Sequence, residues 1–587
     1  MRAVPRRLAC LALLVLPAST VLAAWQSNGN IVTPHTLTEM GPRVASDARG
    51  GVFVTLENFF TGPLVQRFGA DGSPAPGWGE RAKTSTGSAF THGVARPALP
   101  IPDGSGGCFM VWMLDDEFCK HGCSSDPGRL RVLRLTAQGL PVTGWPAAGV
   151  IVSEHLSFPV RTFEACSDGA HGVWITWQSD AFLVQHIGPE GELLRGPEPV
   201  VTNSTGWQSR PRIVGDAHGG AYVFWAEGAA NGFPHGAIRG QRFTADGRAR
   251  WGEAGRQVSS ESYDLARDAL AALSTRQGDA VVAWSGVHGA DSDVFAARVD
   301  RAGARVWQGD RVVCGAPTTQ QDVHVVAEPG DAVLIAWRDA RAASGVFAQR
   351  LDRKGRTQWT RDGVAVCAGA GVRTSLVACA DGQGGAFLAW TDLDAPWSVL
   401  ATRLDARGDV GRGWPAGPAP VCARSNHERF HDQATSLDIA TTGPGSAVLC
   451  WTDLRIPATV TFLDEASFVM RLGRTGPAAS PVLALTSHVA PVALATPARA
   501  GNFALRAVFP NPSRGEASVR FSLADDAPAM LDVFDVLGRR LATREVGGVA
   551  GERTLALSPG RALAPGIYLV RLTQGVRAAT SRVVVTR

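Results

Sequence analysis

The chain has 587 residues, 45% of them hydrophobic, and its 57 basic and 53 acidic side chains leave a formal charge of +4. That length exceeds one ordinary core, so two or more domains or a repeat array are expected. The near-balanced charge gives no basic excess to hold nucleic acid, and Arg residues spread along the chain suit a solvated surface.

In chain order, the first element is the N-terminal stretch: Arg2, Arg6 and Arg7, an apolar run, then small residues ending at Val21-Leu22-Ala23. This pattern reads as a secretory signal over residues 1–23. Polar residues from Gln26 to Asn30 follow too closely for a membrane anchor, and no later run has the apolar length of a transmembrane helix. Export would place the cysteines in an oxidising compartment. Cys119 and Cys123, in CKHGC, are the disulfide candidates; adding His121 gives a metal only three crowded ligands. Cys314, Cys367 and Cys422 close apolar strands, and Cys166 and Cys379 share another repeat position, so these read as small buried hydrophobes.

Residues 24–485 repeat one phrase. A Gly-rich turn, often opened by Asp (Asp47, Asp103, Asp168, Asp216, Asp381), leads into an apolar strand ending in Trp112, Trp177, Trp225, Trp284, Trp337, Trp390 or Trp451, with Leu56 in that slot of the first unit. A strand of the VFAQRLD type follows, then a turn with Gly (Gly72, Gly139, Gly191, Gly247, Gly303, Gly355, Gly408) and a closing strand. Alternation within these strands suits antiparallel sheets, and the turn glycines supply a positive φ. Four strands cannot bury both faces alone, so neighbouring units must stack. The spacing of 53 between Trp337 and Trp390 fits propeller blades, whose repeats run roughly 40–50 residues before insertions. The expected fold is all-β: an eight-bladed β-propeller, with seven blades as the alternative, followed by a small Ig-like β-sandwich. Trp25, Gly29 and Val32 match the closing strand and are missing from the last unit, so the N-terminal strand is expected to complete the last blade and close the ring. The array lacks the pairings of WD repeats, inverts the kelch order and differs from the sialidase Asp-box spacing.

Seventeen tryptophans in an exported chain invite a carbohydrate-stacking role. Position argues otherwise, since seven occupy the slot after the Gly-rich turn and seven more (Trp25, Trp78, Trp145, Trp251, Trp307, Trp359, Trp414) the closing strand, where a recurring indole packs between units. Trp174, Trp207 and Trp397 fall outside this register, and Trp207 and Trp397, in loop-like sequence, are the candidate ligand-binding aromatics.

His427-Glu428-Arg429-Phe430-His431 matches the H-E-x-x-H spacing of zinc peptidases, with His427 and His431 as metal candidates and Glu428 as candidate catalytic base. No long amphipathic helix surrounds it and no third ligand is singled out, so its context favours a polar surface loop. Tyr263 beside Glu261 is the sole remnant of a sialidase-like pair. The acidic groups Asp115-Asp116-Glu117 and Asp291/Asp293 suit a solvated loop tip or a calcium ion. Nucleophile-elbow, phosphate-loop and dinucleotide fingerprints are absent. No cofactor is required by any of these readings, with zinc or calcium as the only ones compatible.

An Ala/Pro-rich stretch, 486–502, reads as a linker to a C-terminal domain, 503–587. There, Pro510-Asn511-Pro512, Asp535-Val536-Leu537-Gly538-Arg539, Pro565-Gly566-Ile567-Tyr568 and a final apolar strand occur in order. This set closely resembles the type A C-terminal sorting domain of type IX secretion (the Por system), related to the Ig-like domain of the flagellar hook-capping protein. The resemblance implies passage through the outer membrane by the type IX machinery and release or attachment at the cell surface. It makes Pro510, Asn511, Pro512, Asp535, Gly538, Arg539, Gly566 and Tyr568 sorting-motif residues. The expected function is a secreted or cell-surface binding or adhesion scaffold for an unknown polysaccharide or protein ligand, more non-enzymatic than not. The alternatives are an extracellular hydrolase on the same ring, zinc-dependent or glycan-acting, and a structural surface component.

Overall fold

The computed structural model describes Trp25 and residues 30–477 and 504–586, apart from connecting segments at 33–38, 59–62, 80–82, 85–93, 96–97, 116–129, 154–159, 161, 179–181, 201–206, 209–210, 229–234, 288–290, 342–343, 370, 394–397, 424–435, 454–465, 510–512, 514–516, 524–528, 536–538, 547–550, 557–563 and 575–576. Among the described residues no helix is long and apolar enough to cross a membrane.

Among the described residues, the strands up to residue 477 group into eight antiparallel meanders, the fourth and fifth joined into one sheet by pairing of His235 and Gly236 with Asp264 and Tyr263. Their first strands are Glu39–Ser46, Leu99–Pro102, Thr162–Ser167, Arg212–Gly215, Tyr263–Ser274, Gln320–Ala327, Arg373–Ala380 and Asp438–Gly443. Each of these touches the next, and Asp438–Gly443 touches Glu39–Ser46, so the eight inner strands form a closed ring around an axis. That arrangement is a β-propeller. The ring is locked where the sequence anticipated it: Asn30 and Ile31 pair with Val469 and Phe468 of the last meander, and Val32 N–H donates to Ser467 at 2.9 Å.

Two recurring devices build each unit. Where Asp opens the turn after the inner strand, one carboxylate oxygen accepts the N–H groups two and four residues on, as Asp47 does from Arg49 and Gly51 at 2.8 Å. The other oxygen takes a cation from the third strand: Arg67 on Asp47 at 2.8 Å, Arg134 on Asp103 at 3.0 Å, Arg403 on Asp381 at 2.7 Å. Where Asp opens the turn, an Arg of the third strand therefore fastens the turn two strands away, as Arg67, Arg134, Arg242 and Arg403 do. The third meander substitutes His186, whose Nε2 lies 3.0 Å from Asp168. Burial pushes the Asp168 carboxyl up, but the hydrogen bonds from His186 and from the Ala170 and Gly172 N–H groups outweigh it and hold the group below the usual range. The second glycine of the turn is forced by crowding: a Cβ on Gly220 would lie 2.2 Å from the Phe243 carbonyl oxygen.

The second device joins neighbours. Trp25, Trp78, Trp145, Trp251, Trp307, Trp359 and Trp414 each donate the indole N–H to a carbonyl in the following meander's turn, at 2.8–3.3 Å. The indoles lie over the turn glycines, so that a Cβ on Gly355 would sit 2.8 Å from the Trp307 ring. The third meander has no closing tryptophan, and Trp174 takes the role from the second strand. It donates to Gly219 at 2.9 Å and stacks on His186 with ring centroids 4.1 Å apart. Trp174 is thus not out of place, as its register suggested, but the replacement joint. The other repeat tryptophans, from Trp112 to Trp451, are fully buried. Together these positions make the indoles packing elements, each large apolar burial worth roughly 1.5–3 kcal/mol.

The C-terminal part has a three-stranded sheet (Ala504–Phe509, Ser518–Leu523, Gly551–Ala556) and a four-stranded sheet (Arg540–Val546, Ala529–Asp535, Gly566–Gln574, Arg577–Val585). Val519, Phe521, Leu531, Val570, Leu572 and Val583 fill a shared core between them.

Candidate functional site

The axis of the ring holds a cavity of about 620 Å³. Its lining comes from seven of the inner strands, and its ionisable residues fall at one register position. Arg43, Leu99, Glu164, Arg212, Ala271, His324, Val377 and Asp438 each pair across with the residue just before the repeat tryptophan slot: Thr55, Val111, Thr176, Phe224, Ala283, Ala336, Ala389 and Cys450. All of them except Ala271 line the cavity. One level of the ring therefore carries five ionisable groups in an otherwise apolar set.

Bulges help place them. The inner strands shift register between Met40 and Arg43, between Gln321 and His324, and between Thr374 and Val377, with Gly41, Asp322 and Ser375 at φ of 58°, 58° and 53°. An extra residue at such a point bends the strand and re-aims the side chains beyond it. Asp and Ser tolerate this left-handed geometry only at a cost of about 1–2 kcal/mol, which the surrounding hydrogen bonds must offset.

The polar groups also staple adjacent meanders. Glu164 of the third meander forms an ion pair with Arg212 of the fourth, whose Nε donates to the Leu270 carbonyl of the fifth at 2.8 Å. Asp438 of the eighth accepts the Val44 N–H of the first at 2.9 Å and its own neighbour Ile439 N–H at 3.0 Å. Burial pushes the Asp438 carboxyl above the ordinary carboxylate range, against the Arg43 charge and these two N–H groups. Beside His324, Asp322 accepts from Arg338 Nε at 3.0 Å and from the Leu376 N–H of the seventh meander at 3.2 Å. Burial raises that carboxyl too, but His324, Arg338 and the Leu376 N–H prevail and hold it low. The level carries two guanidinium groups, with Arg212 paired to the Glu164 carboxylate and Arg43 near the Asp438 carboxyl, and the His324 imidazole. Chemically it offers hydrogen-bond donors and acceptors, apolar walls from Leu99, Ile101, Val377 and Ile439, and one carboxyl suited to holding a proton.

Of the residues singled out in the sequence, His427, Glu428, His431, Trp397, Cys119, Cys123, Pro510, Asn511, Pro512 and Gly538 lie outside the described residues. Trp207 is in a two-residue strand opposite Gly228. Tyr263 is buried against Trp284 and Phe295 and donates to Asp310 at 2.7 Å, so it braces the fifth meander instead of facing a substrate. Of the cysteines read as small buried hydrophobes, Cys314 and Cys422 are buried and Cys166, Cys367 and Cys379 half-buried; Cys108 and Cys450 are buried as well. Among the described residues no group of His, Cys, Asp and Glu could hold a metal ion. In the C-terminal part, Asp535 accepts the Arg539 N–H at 2.9 Å and its Nε–H at 2.7 Å, closing the hairpin that carries the motif. The Tyr568 hydroxyl donates back to the Ala564 carbonyl at 2.7 Å, just before Gly566 starts the strand. Ser513 donates its N–H to the Val584 carbonyl and accepts the Thr586 N–H, both at 2.7 Å, which ties this residue to the last strand.

Sequence reasoning missed the axial level. Its signal was present: the ionisable residues Arg43, Glu164, Arg212, His324 and Asp438 all lie thirteen residues before the repeat tryptophan slot, within strands otherwise rich in apolar residues.

Among solved structures, a protein of unknown function from Dyadobacter fermentans is 9% identical, covering 76% of this chain and 97% of its own, with a TM-score of 0.32. A polysaccharide lyase of family PL25, an ulvan lyase, is 10% identical over 76% of this chain and 96% of its own, with a TM-score of 0.36. The β-propeller domain of the Trilobed protease from Pyrococcus furiosus is 9% identical over 66% of this chain and 98% of its own, with a TM-score of 0.37. These likenesses carry no argument about activity. No curated protein matches the sequence. Residues 507–586 match the secretion system C-terminal sorting domain, and this segment of the chain belongs to that type IX family.

Proposed function

We propose that the chain is an eight-bladed propeller carrying an Ig-like sorting sandwich, exported by a signal peptide and the type IX machinery, and that outside the cell it works as a binding or adhesion protein. Its ligand, a polysaccharide or protein segment, enters the axial cavity. The observation that carries this reading is the single level of five ionisable groups in a cavity of about 620 Å³, within the roughly 300–1,000 Å³ of small-molecule sites. The sorting domain implies the route of export. The test is an array of glycans and peptides read with the mature protein and with Arg43→Ala and Asp438→Ala. Hits lost in both variants support the reading, whereas hits indifferent to both, or no hits, reject it.

Asp438 favours a second reading, catalysis on a bound glycan, because a carboxyl pushed above the ordinary range holds a proton more readily and can serve as a general acid. Turnover of an array hit that stops in Asp438→Asn while binding persists would select it. A zinc hydrolase using His427, Glu428 and His431 requires stoichiometric zinc in the purified protein, lost in His427→Ala.

A further inference from the structure

Three side chains lining the axial cavity carry a buried polar atom with no hydrogen-bond partner among the described residues: Arg43 Nε, Thr162 Oγ1 and His324 Nε2. The other charges around the axis are committed. Glu164 and Arg212 pair with each other, and Asp322 accepts from Arg338 Nε at 3.0 Å. His324 Nε2 lies 3.4 Å from the same Asp322 carboxylate, without the alignment of a hydrogen bond. Asp438 accepts two backbone N–H groups, and Arg43 feels it only as a nearby charge. Arg43 is thereby left a cation with a buried N–H and no acceptor. Resting on the reading of the axial cavity as the binding site, we infer that its ligand is an acidic oligosaccharide segment that presents one oxyanion, a carboxylate or a sulfate, to Arg43.

All three atoms can donate: guanidinium and hydroxyl always, imidazole when Nε2 carries its proton. A buried donor left without an acceptor costs about 1–3 kcal/mol, and an oxyanion on a guanidinium removes that penalty with a strong, two-point bond. The neighbouring carboxyls oppose an anion only weakly. Glu164 stands on the third meander, beyond Leu99 of the second, with Arg212 beside it. Burial pushes the Asp438 carboxyl above the ordinary range, and an arriving anion favours its protonated form further, which donates instead of repelling. One open cation takes one charge, because a second anion would meet Glu164 or Asp322. The Glu164–Arg212 pair decides for sugar over peptide. A hydroxyl donates to a carboxylate and accepts from a guanidinium with a single oxygen, whereas an amide places donor and acceptor on different atoms. Leu99, Ile101, Val377 and Ile439 present apolar walls to the ring C–H groups between the hydroxyls.

The test is isothermal titration of the full mature chain with disaccharides of glucose, galactose and mannose that carry one uronic acid, the methyl ester of each, the corresponding monosulfated disaccharides, and N-acetyl-Gly-Glu-amide as a peptide of equal charge. The expected result is that an acidic disaccharide binds and that its uncharged counterpart binds about tenfold or more weakly, as loss of a hydrogen bond to a charged group would give. Arg43→Gln removes the difference and Arg43→Lys restores part of it, with thermal melts to confirm that the ring remains folded. If Arg43→Gln fails to fold, the native protein serves: its affinity for the acid falls between about 50 and about 500 mM NaCl while that for the ester stays level. Acid and ester bound alike, both weakened by Arg43→Gln, overturn the anion and leave the cavity as the site. The acidic peptide binding in place of every sugar, lost in Arg43→Gln, overturns the saccharide and keeps the anion. Binding indifferent to Arg43→Gln, or no binding by any probe, overturns the inference and the site together.

Discussion

Glu328 opens the turn of the sixth meander, where Asp47, Asp103, Asp168, Asp216 and Asp381 stand in other units. One methylene longer, its carboxyl overshoots the N–H groups that the aspartates accept. It is 6% exposed and neither oxygen has a hydrogen-bond partner among the described residues. Burial pushes the group up, Asp381 of the next meander adds to the shift and Arg350 opposes it, bringing it from 4.5 to about 8. A folded-state value above the unfolded one means that folding takes up a proton. The contribution is intact below about pH 4.5 and is lost as the pH climbs through 8. At about 1.4 kcal/mol per unit the loss across that window is on the order of 5 kcal/mol. For a ring of this size that is a few degrees in Tm. Glu328→Gln keeps the shape and removes the titration. Calorimetric melts from pH 5 to pH 9 are expected to show the two proteins alike at the acid end and the variant more stable at the alkaline end. Parallel profiles, or a native protein gaining stability on that path relative to the variant, would overturn this account of the carboxyl.

Two further changes probe the joints between meanders. Gly355→Ala combines a φ of 76° with a Cβ 2.8 Å from the Trp307 ring, whereas Gly252→Ala has a φ of 82° and open space around it. Urea melts should show a loss of about 2–4 kcal/mol for the first and about 1 kcal/mol for the second, and equal losses would mean that the indole contact is slack. Trp174→Leu removes the N–H to Gly219 and the stack on His186, and should cost about 3–5 kcal/mol by the same measure. A loss below about 1 kcal/mol would show that this joint is carried by other contacts.

The sorting segment was legible because its residues act locally or in fixed order: Asp535 and Arg539 close one hairpin, and Tyr568 reaches back four residues to Ala564. The closing-strand tryptophans were legible as packing because periodicity is itself a statement about repeated environment. Trp174 was not, since its partner, Gly219, is supplied by the next meander. The role of the Asp and Arg residues was half legible: the turn could be read at Asp47, but not that Arg67, twenty residues on, returns to it.

The chain by itself settled the unit and its repetition, because strand alternation, turn glycines and recurrent indoles are properties of short segments that any copy expresses alone. Only the closed ring decided the site. Arg43 and Asp438 are separated by almost the whole propeller in sequence, and they become neighbours because Asn30 and Ile31 pair with the last meander and bring the first inner strand against the eighth. A level of ionisable groups around an axis exists only once there is an axis.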